Sequence, residues 1–179
     1  MESCGFLGGY VDDFITGRQL PDSDNERIRQ KLEKFLVEEK GYAPDMITVD
    51  HPFGIHCKDD SESATADLVV TVHGKPLMLM QCHRGSIVTR HREAISASRL
   101  AMDVVIPITV VTNGEDLDIL DTWTSDVRAG GWESLPDFSE ANELVDQEKF
   151  EPWPDHKRER ESRVFLAFAG FECGRFCNS

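Results

Sequence analysis

The sequence predicts a single α/β domain: a mixed central sheet with one βαβ crossover, flanked by helices. Three observations predict it. First, Ala66–Val72 and Pro76–Cys82 are β-rich and are joined by His73-Gly74-Lys75, the pattern of a hairpin. Second, a helix-patterned segment starting near Thr89 separates that hairpin from another apolar run, Ile108–Thr112. Strand, helix and strand in this order form a crossover, which places the strands ending at Gln81 and Thr112 parallel and adjacent. Third, 179 residues suit one domain at roughly 100–200 residues per domain.

The other elements follow in order. Residues 1–22 hold Gly5, Gly8, Gly9, Gly17 and Pro21 around the apolar stretch Val11–Ile15, and are expected to form an arm packed on the domain. Ser23 and Glu26 have capping-box spacing, and Ile28, Leu32, Phe35 and Leu36 recur along one helix face. Gly41 is placed to end that helix in a left-handed conformation. Ile47 and Val49 begin a strand, and the polar run Lys58–Ser63 reads as a loop. Thr89 is expected to cap the crossover helix, which runs to about Met102 with Ala94, Ile95, Ser98, Ala101 and Met102 on its packed face. Asn113-Gly114 stops the strand after it, and Leu117–Leu120 forms a further short strand. Ser139–Glu148 is a helix with Leu144 and Val145 inward. After the junction Pro152-Trp153-Pro154, Asp155–Phe171 is a last helix, charged and then apolar. The expected division is an arm at 1–22, an α/β core at 23–125, and a helical extension at 126–179 packed on the core.

Composition narrows the function classes. With 19 basic against 33 acidic residues the net charge is −14, which excludes a general nucleic-acid coat or a polybasic membrane binder. Apolar residues make up 40% and charged residues 29%, as in a globular protein. No apolar run approaches the roughly 20 residues of a membrane span. The first residues lack the basic-then-apolar pattern of a signal peptide, and the five cysteines are scattered and odd in number. Reduced thiols in the cytoplasm are the expectation. There is no P-loop, no dinucleotide-binding glycine pattern and no nucleophile elbow.

The sharpest cluster of polar residues is Asp67 on one hairpin strand and Gln81-Cys82-His83 at the end of the next. Alternation puts Gln81 and His83 on one face and Cys82 on the other, and Asp67 can share the first. A metal-dependent nuclease needs such a group: oxygens to hold a divalent cation and a further group to orient water or stabilise developing charge. The plainer reading is a strand-edge aspartate and a polar pair filling the end of a sheet. A second feature is Cys82–Arg92, which contains His83, Arg84, Arg90, His91 and Arg92 and no acid. It reads as a phosphate contact at a helix start, or as a solvated loop paired to the abundant acids. Finally, Cys173 and Cys177, with Glu172, have the spacing of half a metal site, which Cys57, His51 and His56 would complete; the plain reading is a terminal segment.

Several segments occur in an order that resembles a known family. They are Arg29-Gln30-Lys31-Leu32, Phe35–Tyr42, Ala66-Asp67-Leu68-Val69-Val70, Gly74-Lys75-Pro76 and Val110-Val111-Thr112-Asn113-Gly114. Together they resemble the N-terminal nuclease domain of the type I restriction enzyme R subunit, of the PD-(D/E)xK superfamily, over about residues 25–115. The resemblance implies a restriction-endonuclease-like core, DNA as substrate class, Mg²⁺ as cofactor and a homodimer as one form of assembly. Asp67 falls at the family's metal-binding aspartate, so the implied metal ligands are Asp67 and Gln81. The implied catalytic set is Asp67, Gln81, His83 and Glu93; the basic segment, read from its charge, offers Arg84, Arg90 and Arg92 as nucleic-acid contacts. Gln81 stands where the family usually has glutamate, and His83 where it has lysine. The family's helix glutamine and the tyrosine four residues on become Glu93 and Ala97. The expectation is therefore a degenerate, stand-alone relative with weak or lost Mg²⁺-dependent phosphodiester hydrolysis and weak DNA binding. A non-enzymatic scaffold of the same fold, binding protein or nucleic acid, is the alternative. A small homodimer with some other ligand is a third reading.

Overall fold

The computed structural model of the protein describes residues 6–57 and 60–169. Strands β1 (Phe6–Asp12) and β2 (Gln19–Ser23) form a two-stranded antiparallel sheet in the arm. Helix α1 (Asp24–Lys34) follows directly. Ser23 caps it, accepting from the Glu26 N–H at 3.2 Å. The expected capping box is only half made, because the Glu26 carboxylate turns to Arg29 and to Gln30 instead. Beyond α1 the chain widens into a π-helical turn at Phe35–Glu39, and Gly41, at φ +75°, lets it reverse.

The main sheet has six strands in the order of the chain: β3 (Ile47–Cys57), β4 (Asp60–Val72), β5 (Lys75–Cys82), β6 (Ile108–Thr112), β7 (Leu117–Asp121) and β8 (Val127–Gly130). Neighbours are antiparallel except β5 and β6, which are parallel, with Gln81 beside Val111 and Cys82 beside Thr112. Helix α2 (His91–Leu100) is the crossover between them. This is the mixed α/β architecture that the sequence predicts.

Three local expectations need correction. The polar run ending at Ser63 is not all loop: Ser61, Glu62 and Ser63 pair with His56, Ile55 and Gly54 in a long hairpin. Backbone pairing with a partner strand outweighs the low β-propensity of those side chains. Thr89 does not cap α2; it lies in a 3₁₀ turn, Ile87–Arg90, and its hydroxyl donates to the Ser86 carbonyl. The segment 126–179, expected to be helical, opens with the edge strand β8 before α3 (Phe138–Gln147) and α4 (Asp155–Ala169). Asp137 and Glu140 give α3 the full capping box that α1 lacks.

The sheet is sandwiched. On one face Leu68, Val70, Met78 and Met80 pack against Leu32 of α1 and Ala141 and Val145 of α3. On the other, Val69 and Leu79 pack against Ala97 and Leu100 of α2 and Phe165 of α4. Phe165 meets Phe53 edge to face at 5.5 Å, and burying such a side chain contributes about 1.5–3 kcal/mol. That contact holds the last helix on the sheet. Among the described residues no helix is long and apolar enough to cross a membrane.

Candidate functional site

The candidate site depends on the register of the β4–β5 hairpin. His73 and Gly74 both have positive φ, 51° and 76°, as a two-residue type I′ turn requires. Val72 therefore faces Lys75, and Thr71 faces Pro76. The register then shifts by one, so that Val70 faces Met78 and Leu68 faces Met80. The extra residue is Leu77, and both it and Met78 join the same core cluster, as at a β-bulge. Continued one step, the shifted register sets Asp67 opposite Gln81. Without the bulge Asp67 would lie opposite Met80, whose side chain packs on the other face.

The structure thus brings Asp67 to the Gln81 end of β5. The half-buried Asp67 accepts the Cys82 N–H through Oδ2 at 2.7 Å. Gln81 and His83 are both completely buried, and Gln81 Oε1 lies 3.1 Å from His83 Nε2. An amide oxygen only accepts, so this contact requires the proton on His83 Nε2. The His83 backbone N–H extends the parallel ladder, donating to the Thr112 carbonyl at 2.9 Å. Cys82 points to the opposite face, where its thiol is buried in the α1-side core. Glu93, on the first turn of α2, is also completely buried and takes Arg90 Nη1 at 3.2 Å.

Among Asp67, Gln81 and His83, only Asp67 would bring a carboxylate to a Mg²⁺ ion. Such an ion requires near-octahedral oxygen ligation. Here one Asp67 oxygen is engaged by a backbone N–H, and the Gln81 oxygen faces an imidazole N–H. Among the described residues no three His, Cys, Asp or Glu side chains are grouped to hold a metal ion. His51 and His56 are turned to the Ala101 carbonyl and the Ser61 hydroxyl, and Cys173 and Cys177 lie outside the described residues.

The three arginines of the basic segment are dispersed. Arg84 reaches Asp24 at the start of α1, 3.2 Å away, and Arg90 folds back on Glu93. Arg92 is exposed and lines a cavity with side chains of α4. Since α1 and α4 cover opposite faces of the sheet, Arg84 and Arg92 are drawn to different sides.

Sequence reasoning missed a buried charge cluster on α1. Arg29 lies 2.6 Å from Glu26, 3.0 Å from Asp13 and 3.4 Å from Glu33, and it also pairs with Asp50. Burial, reinforced by the Asp13 charge, pushes the Glu33 carboxyl up to about 8 against the pull of Arg29. Asp13 moves the other way: burial raises it, but hydrogen bonds from Thr16 and the charge of Arg29 prevail and lower it. The visible signal was the spacing of Glu26, Arg29 and Glu33, which puts two acids one turn from one arginine.

No curated protein and no solved structure matches the chain. The family model of the type I restriction enzyme R protein N terminus matches residues 24–136. That span runs from the first residue of α1 past β8, so it takes in the crossover and the whole strand-end cluster. It covers more than half of the chain, and the protein is a member of the type I restriction enzyme R protein N-terminal family.

Proposed function

We propose that this chain is a nuclease-like domain with weak or lost Mg²⁺-dependent DNA hydrolysis, its reactive positions converted into a closed polar cluster. One observation carries the reading: Gln81 and His83, at the positions of the family's glutamate and lysine, are completely buried and hydrogen-bonded to each other. A neutral amide gives a hard cation less charge than a carboxylate. An imidazole lacks the permanent charge of lysine with which to stabilise a phosphoryl group under attack. Purified protein incubated with supercoiled plasmid and Mg²⁺ tests this. The expected result is no nicking above a chelator control, with nicking gained in a Gln81→Glu, His83→Lys double variant that retains its unfolding transition. Asp67-dependent nicking by the unmodified protein overturns the reading.

DNA has a minor part in this proposal. Three phosphate contacts would give a log–log salt slope of roughly −3, at about −0.9 per contact. Arg84 and Arg90 are paired with Asp24 and Glu93, so a slope nearer about −1 is expected, with affinity no tighter than roughly micromolar at physiological salt. Titration of a fluorescent duplex at several salt concentrations measures both. Nanomolar binding, or binding that survives alanine at Arg84, Arg90 and Arg92, places the nucleic-acid contact elsewhere.

A further inference from the structure

Helices α2 and α4 face each other across a cavity of about 200 Å³. Arg92 and Arg99, two turns apart on α2, line it from one side. Lys157, Arg160 and Glu161, within about one turn on α4, line it from the other, and Trp153 also lines it. Four cations and one anion therefore meet in a chain whose net charge is −14. Glu161 is already engaged, with Oε1 on Arg99 Nη1 at 3.0 Å and Oε2 on the Ser96 hydroxyl at 2.9 Å. Arg99 spends its remaining donors on the Thr122 carbonyl and Ser125.

Arg92, Lys157 and Arg160 have no carboxylate partner among the described residues. Of the other described arginines, Arg18, Arg27, Arg29, Arg84, Arg90, Arg128 and Arg163 each meet an acid, and Arg158 does not. The Trp153 ring stacks on the Arg99 guanidinium at 4.1 Å and faces Lys157 Nζ at 5.6 Å. Trp153 is only 8% exposed, and its indole N–H is buried without an acceptor among the described residues. Three exposed cations without a carboxylate partner give the cavity surplus positive charge, which suits an oxyanion.

We propose that the cavity between α2 and α4 binds a phosphate group carried by a small molecule. A phosphate brings about −1.5 to −2 charges and three acceptor oxygens, which matches three unpaired cations. Pockets for drug-sized ligands are roughly 300–1,000 Å³, so this smaller cavity suits a phosphate with little attached to it. The site is separate from the Gln81–His83 cluster and stands whether or not that cluster is catalytic.

Isothermal titration of the full chain with inorganic phosphate and, separately, glycerol 3-phosphate tests the proposal, with ionic strength held constant by chloride. Saturable one-to-one binding is expected, weakened about tenfold or more by Lys157→Ala and by Arg160→Ala. Both positions are exposed on α4, and thermal unfolding checks that each variant folds; Arg92→Ala repeats the test from the other helix. The tighter of the two probes identifies a free or an esterified phosphate. Absence of saturable binding of either probe, or binding unchanged in all three variants, overturns the proposal. So does duplex DNA binding lost in the same variants where neither phosphate probe binds, which would make the cavity rim a nucleic-acid contact.

Discussion

Arg29 and Arg99 are buried to nearly the same degree, 5% and 8% exposed, on opposite faces of one sheet, yet their surroundings have opposite sign. Burial disfavours the charge of each. Around Arg29 the charges of Asp50, Glu26, Glu33 and Asp13 outweigh burial and raise its affinity for the proton. Around Arg99 burial prevails over Glu161, helped by repulsion from Arg92, and lowers it. Burial alone thus does not decide how a guanidinium behaves; the balance of its neighbours does. The α1 face holds surplus negative charge and absorbs part of it as a proton on Glu33. The α2–α4 face holds surplus positive charge and leaves it at a cavity.

The sharpest way to break this contrast is to remove each arginine. Arg29→Ala leaves its acids buried together, and urea unfolding is expected to show a loss of about 3–5 kcal/mol. Arg99→Ala loses the contacts to Thr122 and Glu161 but also relieves repulsion with Arg92, so a smaller loss, about 1.5–3 kcal/mol, is expected. Equal losses would mean that the sign of the surroundings is unimportant.

A pH series sharpens the α1 side. Glu33 keeps its proton in the folded chain up to about pH 8, whereas the unfolded chain releases it near pH 4.5. Its contribution to stability is therefore full below about pH 4.5, falls as pH rises, and is lost by about pH 8. Glu33→Gln should remove that slope and stabilise the protein at pH 8 by on the order of 1–3 kcal/mol. A slope unchanged in the variant assigns the dependence to other groups. The smallest effect is expected at Arg84, whose pair with Asp24 is exposed on both sides: Arg84→Ala should shift stability by no more than about 0.5 kcal/mol. A larger loss would mean that the pair anchors α1 to the strand end.

Much of the fold was legible in local pattern. The His73-Gly74 turn, the Ile28–Leu36 helix face and the crossover between Gln81 and Thr112 depend on backbone preference and short-range periodicity, which act within a few residues. The same-face placement of Gln81 and His83 followed from alternation, and their contact at 3.1 Å agrees with it. The strand at Asp60–Ser63 and the edge strand β8 were illegible because their side chains carry little β signal; a partner backbone makes them strands.

By itself the sequence determined the first helix, the central hairpin, the crossover, the family motifs and the polar residues gathered at the end of β5, since all of these are carried by spacing along the chain. Only the tertiary structure decided which groups meet. The bulge at Leu77 sets Asp67 opposite Gln81 rather than opposite Met80, a one-residue shift that alternation cannot reveal because it exchanges the two faces. Pairing to Asp24 and to Glu93 disperses an arginine cluster that looks continuous in sequence. The two charge surpluses arise between residues far apart in the chain, Asp13 and Asp50 around Arg29, and Arg92 and Arg160 across the α2–α4 cavity. Electrostatic energy depends on distance through space and on burial, and neither is written in local sequence.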